Sequence, residues 1–327
     1  MKTVLITGGA GFIGSHLGEA LLSNGVKVVT VDSFNDYYDP AIKRRNVAET
    51  RKFMAINAIS DTNYTVCEGD IRDIAFLNEV FSDYPIDAIV HLAAYAGVRP
   101  SISNPVLYTD VNINGTVNLL EMSRQYNVGS FVFASSSSVY GNNEKVPFAE
   151  DDVVDYPISP YAATKKAGEL LCHTYHSLYD INVACLRFFT VFGPRQRPDL
   201  AIHKFTKLIA EGKPIPYYGD GSTERDYTYI EDIIDGVTKA IEWAGAGKGK
   251  YEVFNLGESN TIRLDRMIAA IEAELGKKAL IERLPMQPGD VNRTNADVSK
   301  ARRMLGYDPK WHFEEGIREF VQWYSGH

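Results

Sequence analysis

Thr3-Val4-Leu5-Ile6-Thr7-Gly8-Gly9-Ala10-Gly11-Phe12-Ile13-Gly14 opens the chain, and its reading decides the fold. Val4-Leu5-Ile6 is an apolar run that stops at Thr7, and glycines follow at once. A helical pattern takes over through His16, Leu17, Ala20 and Leu21, and Asn24-Gly25 breaks it. Lys27-Val28-Val29-Thr30-Val31 then reads as a second strand ending in Asp32. Strand, glycine turn, helix, strand and acid form the context that a dinucleotide fingerprint requires. Gly8 and Gly9 permit the tight turn, Gly11 lets the backbone approach a pyrophosphate, and Gly14 lets the helix pack close to the strand. The helix N-terminus then offers N–H groups and a positive dipole end to the phosphates. Asp32 follows Gly11 at the spacing of about 20 residues that suits a ribose-binding acid, which favours NAD over NADP.

The rest of the composition is that of an ordinary globular chain. The 327 residues are 45% hydrophobic and 23% charged, enough for a large core and one or two domains. The net charge of −8 comes without a basic block, which argues against nucleic acid as a partner. Cys67, Cys172 and Cys185 have no metal-ligand spacing, and they read as reduced thiols of a cytoplasmic protein with no metal. The first strand begins so early that no signal peptide or anchor is expected, and no apolar run approaches membrane-spanning length.

Further strands and helices alternate after Asp32. Asn35-Asp36-Tyr37-Tyr38-Asp39-Pro40 forms the loop that would pass the cofactor ribose, and Ala41 to Asp61 is charged and weakly helical. Tyr64-Thr65-Val66-Cys67 is a third strand closed by Glu68-Gly69-Asp70. Ala88 to Ala94 is a fourth, its continuous apolar run suited to a parallel strand covered on both faces. Asp70 can accept from an adenine amino group or serve as a loop cap. Ala93 and Ala94 are small where a cofactor would lie against the backbone. His91, inside that strand, reads as a satisfied core residue. A long helix is expected over Leu107–Tyr126, although Asn112 and Gly115 within it are poor helix formers.

The chemistry follows the next strand, Ser130–Ala134, which delivers Ser135-Ser136-Ser137-Ser138-Val139-Tyr140-Gly141 at its carboxyl end. Open α/β sheets bind ligands at that edge. Ser159-Pro160 opens a helix carrying Tyr161 and Lys165, four apart and on one face. A phenol with a pKa of about 10 is a poor base near neutrality. An ammonium one turn away and a positive nicotinamide favour the phenolate. Tyr161 then takes a proton from a sugar hydroxyl as hydride leaves for NAD, with a serine hydroxyl bridging substrate and tyrosine.

These stretches together resemble the extended short-chain dehydrogenase/reductases of the nucleotide-sugar epimerase type, nearly end to end. Within them the chain is similar to the UDP-glucuronate 4-epimerase group. The resemblance rests on Asn35-Asp36-Tyr37-Tyr38-Asp39, Ala96-Gly97-Val98-Arg99, the Ala134–Gly141 serine stretch and Tyr161-Ala162-Ala163-Thr164-Lys165-Lys166-Ala167. It also rests on Arg187-Phe188-Phe189-Thr190-Val191-Phe192-Gly193-Pro194 and Leu284-Pro285-Met286-Gln287-Pro288-Gly289-Asp290. The chain departs from that pattern at Arg195-Gln196, where many members carry Trp-Gly, and at Phe192, where tyrosine is usual. The resemblance implies Ser136, Tyr161 and Lys165 as the catalytic set. It implies Gly8, Gly11, Phe12, Ile13, Asp32, Asn35, Asp70, Ile71, Leu92, Ala93, Ala94 and Asn112 around NAD, together with Tyr161 and Lys165. For a UDP-sugar it implies Arg99, Ser136, Ser137, Ser138, Tyr161, Thr190, Arg197, Tyr217, Arg225 and Asp290. Arg225 would meet the diphosphate, Tyr217 and Pro216 would flank the uracil, and Asp290 would meet the ribose. Arg197 and Thr190 would hold the sugar carboxylate with the three serines. An ion pair of Arg225 with Asp226 or Glu224, and of Arg197 with Asp199, are the plainer alternatives.

The expectation is thus an α/β chain. Residues 1–180 make a Rossmann-type doubly wound parallel sheet for NAD. Residues 181–327 make a smaller α/β domain for the UDP-sugar, with segments returning to the first. The expected reaction is 4-epimerisation of UDP-glucuronate through a 4-keto sugar, in a homodimer paired through the helices of 107–126 and 161–179. UDP-glucose or UDP-N-acetylhexosamine epimerases share all but the carboxylate site. Decarboxylases and 4,6-dehydratases share the first oxidation, but carry an acid at the position of Ser138, and dehydratases another at Ser137.

Overall fold

The computed structural model describes residues 2–285 and 293–326. Asp290 and most of the stretch before it lie outside the described residues. The strands in chain order are β1 (Thr3–Thr7), β2 (Lys27–Asp32), β3 (Tyr64–Glu68), β4 (Ala88–His91), β5 (Ser130–Ser136), β6 (Asn182–Phe188), β7 (Thr190–Phe192), β8 (Pro214–Tyr218), β9 (Glu224–Tyr229), β10 (Tyr251–Leu256), β11 (Thr261–Arg263) and β12 (Leu280–Leu284). The helices are α1 (Phe12–Ser23), α2 (Pro40–Ile56), α3 (Ile74–Asp83), α4 (Val98–Ser103), α5 (Pro105–Thr109), α6 (Gly115–Gln125), α7 (Pro160–Tyr179), α8 (Ala201–Ala210), α9 (Ile230–Gly245), α10 (Leu264–Leu275), α11 (Ser299–Leu305) and α12 (Phe313–Ser325).

Seven strands form one parallel sheet in the order β10-β6-β5-β4-β1-β2-β3. Alternate side chains of each strand enter different layers. Val4 and Ile6 pack with Leu17 and Leu21 of α1 and Ile233 of α9, whereas Leu5 packs with Leu77 of α3, Leu119 of α6 and Cys172 of α7. A sheet covered on both faces accounts for the continuous apolar runs read in its strands. The chain reverses direction of travel across the sheet between β1 and β4, and ligands bind at the carboxyl ends beside such a switch point. β6 and β10 come from the second half of the sequence, yet lie in this sheet. The remaining strands make the small sheets β11-β9-β7 and β12-β8, packed with α8, α10 and α12.

Two expectations change in detail. β4 stops at His91 instead of Ala94, because the Ala93 N–H turns to the Thr7 hydroxyl, 3.2 Å away. The helix expected over Leu107–Tyr126 is α5 and α6 joined by a single π turn, Asp110–Asn114. That turn aims Asn112 at the backbone of Tyr95, accepting its N–H at 2.8 Å and donating to its carbonyl at 3.0 Å. Gly115 follows because a Cβ there would stand 2.4 Å from Ile71 Cδ1.

Candidate active site

The turn after β1 is built by close backbone approach. Gly8 has φ +70°, and a Cβ on it would lie 2.9 Å from the Ala93 nitrogen; a Cβ on Gly14 would lie 2.4 Å from the Gly8 carbonyl oxygen. Both neighbours are backbone and cannot yield, so α1 and β4 close on the turn only with glycine there. α1 begins at Gly11 with no side-chain cap and no acid in its first turn, which leaves its N–H groups for an anion. Asp32 ends β2 beside this turn. Its carboxylate accepts from the Ala10 N–H at 3.2 Å, the Phe34 N–H at 3.0 Å and Lys43 Nζ at 2.9 Å. Asn35 caps the following loop by accepting the Tyr37 N–H at 3.2 Å. Leu92, Ala93 and Ala94 leave β4 just above the turn. An uncapped helix start, a buried acid at the next strand end and small residues between them fit a dinucleotide.

Asp70 is paired with Arg72 at 2.7 Å, and Arg72 bridges on to Asp110 at 2.5 Å. Arg72 holds the Asp70 carboxyl below its usual range. The Asn112 side chain is likewise engaged, its amide also donating to Thr164 Oγ1 at 3.1 Å. His91 is a core residue with both nitrogens satisfied, by Thr7 Oγ1 at 2.7 Å and Thr116 Oγ1 at 2.9 Å.

Tyr161 and Lys165 stand in the first turns of α7. Ser159 caps that helix by accepting the Ala162 N–H at 3.1 Å, Pro160 supplies its first position, and the buried Ser101 accepts the Tyr161 N–H at 3.1 Å. Ser136 stands close enough to the Tyr161 phenol to oppose a rise in its pKa, and its Oγ pairs with Ser138 Oγ at 2.6 Å. Burial raises the phenol's pKa, while Ser136 and the nearby Arg197 charge oppose that rise. Lys165 Nζ donates to the Ala134 carbonyl at 2.6 Å and lies 5.9 Å from the Tyr161 ring centroid. Burial pulls its pKa down to about 8. A buried network fixes these elements from behind. Glu169, one turn after Lys165, accepts from Ser135 Oγ at 2.6 Å and from Arg187 Nε and Nη2, each at 2.9 Å.

The loop after β7 brings cations to the same cleft. Arg197 donates from Nε to Asp199 Oδ1 at 2.9 Å and from Nη2 to Oδ2 at 2.7 Å. Thus the plainer pairing with Asp199 exists, and it coexists with the Arg197 charge acting on Tyr161. Arg195, two residues earlier, has φ +64° and pairs with Glu19 of α1 at 2.8 Å and Glu49 of α2 at 2.7 Å. Thr190 starts β7 beside Tyr227 of β9. Phe192 is packed among the rings of Tyr227, Tyr229 and Phe313, where no hydroxyl is needed.

Tyr217 differs from its expected place. It is buried, its hydroxyl donating to the Asp220 carbonyl at 3.2 Å, and Arg283 lies over its ring. The neighbouring Tyr218 faces the other way, with the Arg99 guanidinium 5.2 Å from its ring centroid. Arg225 sits in β9 opposite Ile262 and donates to the Glu224 carbonyl at 2.9 Å.

With this geometry in hand, comparison with known proteins is decisive. The family model described as GDP-mannose 4,6 dehydratase matches residues 5–320. This chain belongs to that nucleotide-sugar epimerase and dehydratase family. Within the family it is 44% identical over 324 residues to a UDP-glucuronate 4-epimerase of Thermodesulfobacterium geofontis, covering 99% of this chain and 96% of the relative. It is 43% identical over 340 residues to UDP-glucuronate 4-epimerase 3 of Arabidopsis thaliana, covering 99% and 77%. A crystal structure of UDP-glucuronic acid 4-epimerase from Bacillus cereus, in complex with UDP-glucuronic acid and NAD, superposes with a TM-score of 0.89 at 36% identity, covering 99% of each chain. Among the described residues of this family member, no helix is long and apolar enough to cross a membrane and no cluster of His, Cys, Asp or Glu could hold a metal ion. Sequence reasoning gave no role to Lys43, Tyr108 or Tyr218; alternation along β8 from the inward Ile215 is the signal that separates Tyr218 from Tyr217.

Proposed function

We propose that this protein is an NAD-dependent UDP-glucuronate 4-epimerase, converting UDP-glucuronate to UDP-galacturonate through a 4-keto intermediate. The observation that carries the reading is the Arg197 cation beside a Ser136–Tyr161 pair, in a chain that carries serine at 137 and 138. Residues 1–180 form the cofactor unit and 181–327 the substrate unit, with β6 and β10 completing the first. The glycine turn, the start of α1 and Asp32 would hold NAD, which would supply the acceptor for the C4 hydride and its source on return to the opposite face of the ring. Tyr161 Oη takes the C4 hydroxyl proton and gives one back. Ser136 bridges that hydroxyl, and Lys165 keeps positive charge under the phenol. The 4-keto sugar is a β-keto acid. It loses CO₂ if its carboxylate turns the breaking C–C bond parallel to the carbonyl π system. Arg197, Thr190 and the serine hydroxyls hold the carboxylate out of that orientation. Tyr218, with Arg99, supplies the ring for the uracil in place of Tyr217, and Arg225 meets the diphosphate. The protein acts in the cytoplasm as a homodimer.

Incubation with UDP-glucuronate, UDP-glucose and UDP-N-acetylglucosamine, followed by product separation, tests this. UDP-galacturonate as the main product supports it. Faster epimerisation of the uncharged sugars, or a pentose product, overturns it.

A further inference from the structure

Tyr37 and Ala96 lie in two stretches that carry the resemblance, Asn35–Asp39 and Ala96–Arg99; neither residue has a part in the chemistry above, yet they meet directly beneath Arg197. The Tyr37 hydroxyl donates to the Ala96 carbonyl at 2.6 Å, and the Tyr108 hydroxyl donates to the same oxygen, also at 2.6 Å. Gly97 has φ +100°, and a Cβ on it would stand 3.0 Å from Tyr37 Oη, so glycine is what lets the phenol seat there. Tyr95 packs edge-on against Tyr37 with centroids 5.6 Å apart, and Tyr108 in turn meets Tyr161 at 6.4 Å. The ring so fixed lies under Arg197, whose guanidinium carbon is 5.4 Å from its centroid. Asp199 occupies the Nε and Nη2 side of the same group. A guanidinium has five N–H donors in a rigid fork, so a partner on that side leaves the Nη1–Nη2 edge for a second carboxylate.

We propose that Tyr37 is the specificity-determining positioning residue of the carboxylate site: its ring fixes the plane of Arg197 while Asp199 fixes its rotation, which aims the remaining edge at the sugar acid. The proposal rests on the glucuronate reading. It makes the loop after β2, which also follows the ribose-binding Asp32, part of substrate selection. Tyr37→Leu removes the platform and Tyr37→Phe keeps the ring but loses the bond to Ala96.

The test measures binding of UDP-glucuronate and UDP-glucose to the NAD-loaded protein by calorimetry. Tyr161→Phe serves as the parent so that neither sugar turns over, and thermal melting and retained NAD serve as folding controls. Tyr37→Leu is expected to weaken UDP-glucuronate about tenfold with UDP-glucose unchanged, and Tyr37→Phe to fall between. In the otherwise active protein Tyr37→Leu should release some decarboxylated 4-keto-pentose. A parent that prefers UDP-glucuronate and a leucine variant that keeps that preference, or loses both sugars equally, overturns this proposal alone. A parent that binds both sugars equally overturns the glucuronate reading and this proposal with it.

Discussion

Lys165 lies under the Tyr161 ring: its Nζ donates to the Ala134 carbonyl at 2.6 Å and stands 5.9 Å from the ring centroid. Burial disfavours the charge of this lysine. With its pKa pulled down to about 8, it loses its proton as pH rises through that value. The rate of epimerisation should accordingly fall on the alkaline side, from about pH 8. Lys165→Arg, whose charge persists to far higher pH, should turn over more slowly but lack that alkaline limb. A pH profile of kcat for both proteins checks this; an identical limb in the arginine variant assigns it to another group.

Tyr161→Phe should lose about 10²–10⁴-fold in kcat, the usual span for removing a general base, while NAD and UDP-sugar still bind. The ring and its contact with Tyr108 remain. Turnover near that of the wild type would take Tyr161 out of the mechanism.

Arg197→Ala should sharply lower activity on UDP-glucuronate, and the surviving turnover should leak 4-keto-pentose. Charge-assisted bonds of the kind removed contribute roughly 1.5–3 kcal/mol each. NMR of the products is the measurement. Full epimerase activity with no decarboxylated sugar would place the carboxylate elsewhere.

His16 is half-buried beside the Arg195 charge and His91 is fully buried; desolvation lowers each pKa to about 3, helped at His16 by Arg195. An unfolded histidine takes up its proton near pH 6.5, so the unfolded state binds more protons between there and about pH 3. The stability these residues contribute is present above pH 6.5 and lost as pH falls, at about 1.4 kcal/mol per pH unit for each histidine. Urea unfolding between pH 7 and 5 should show that slope, reduced in His91→Asn. An unchanged slope in that variant would mean His91 is charged in the folded protein.

Light scattering at micromolar protein should give a dimer mass. α7 carries Leu170 and Leu178 exposed at 57% and 65%, next to Tyr175, whose hydroxyl donates to Glu121 of α6 at 2.5 Å. A monomer mass would remove the α6–α7 pairing.

The cofactor half is legible in the sequence because its signals are local. The glycine turn, the strand ending in Asp32 and the capped helix of Tyr161 each lie within one element and its neighbour. Asn112 and Gly115 read correctly as misfits in a helix, but the π turn that answers them depends on Tyr95 and Ile71, which no spacing reveals. Pro-Ile-Pro-Tyr-Tyr in β8 is apolar or aromatic throughout, so composition does not say which tyrosine faces the core; only alternation counted from an inward Ile215 does, and that Ile215 points inward is known from the fold. Tyr37 and Ala96 are 59 residues apart and meet only in the folded chain.

Arg195 holds a left-handed backbone, a strain of about 1–3 kcal/mol for a side chain of its size, and anchors the Gly193–Leu200 loop to α1 and α2. The loop thereby rides on the cofactor's scaffold, although its sequence belongs to the substrate half. In the proposed function the sugar carboxylate is thus held from the cofactor side of the molecule, and breaking the Arg195 pairs with Glu19 and Glu49 should disturb the sugar end of the ligand before its uridine end.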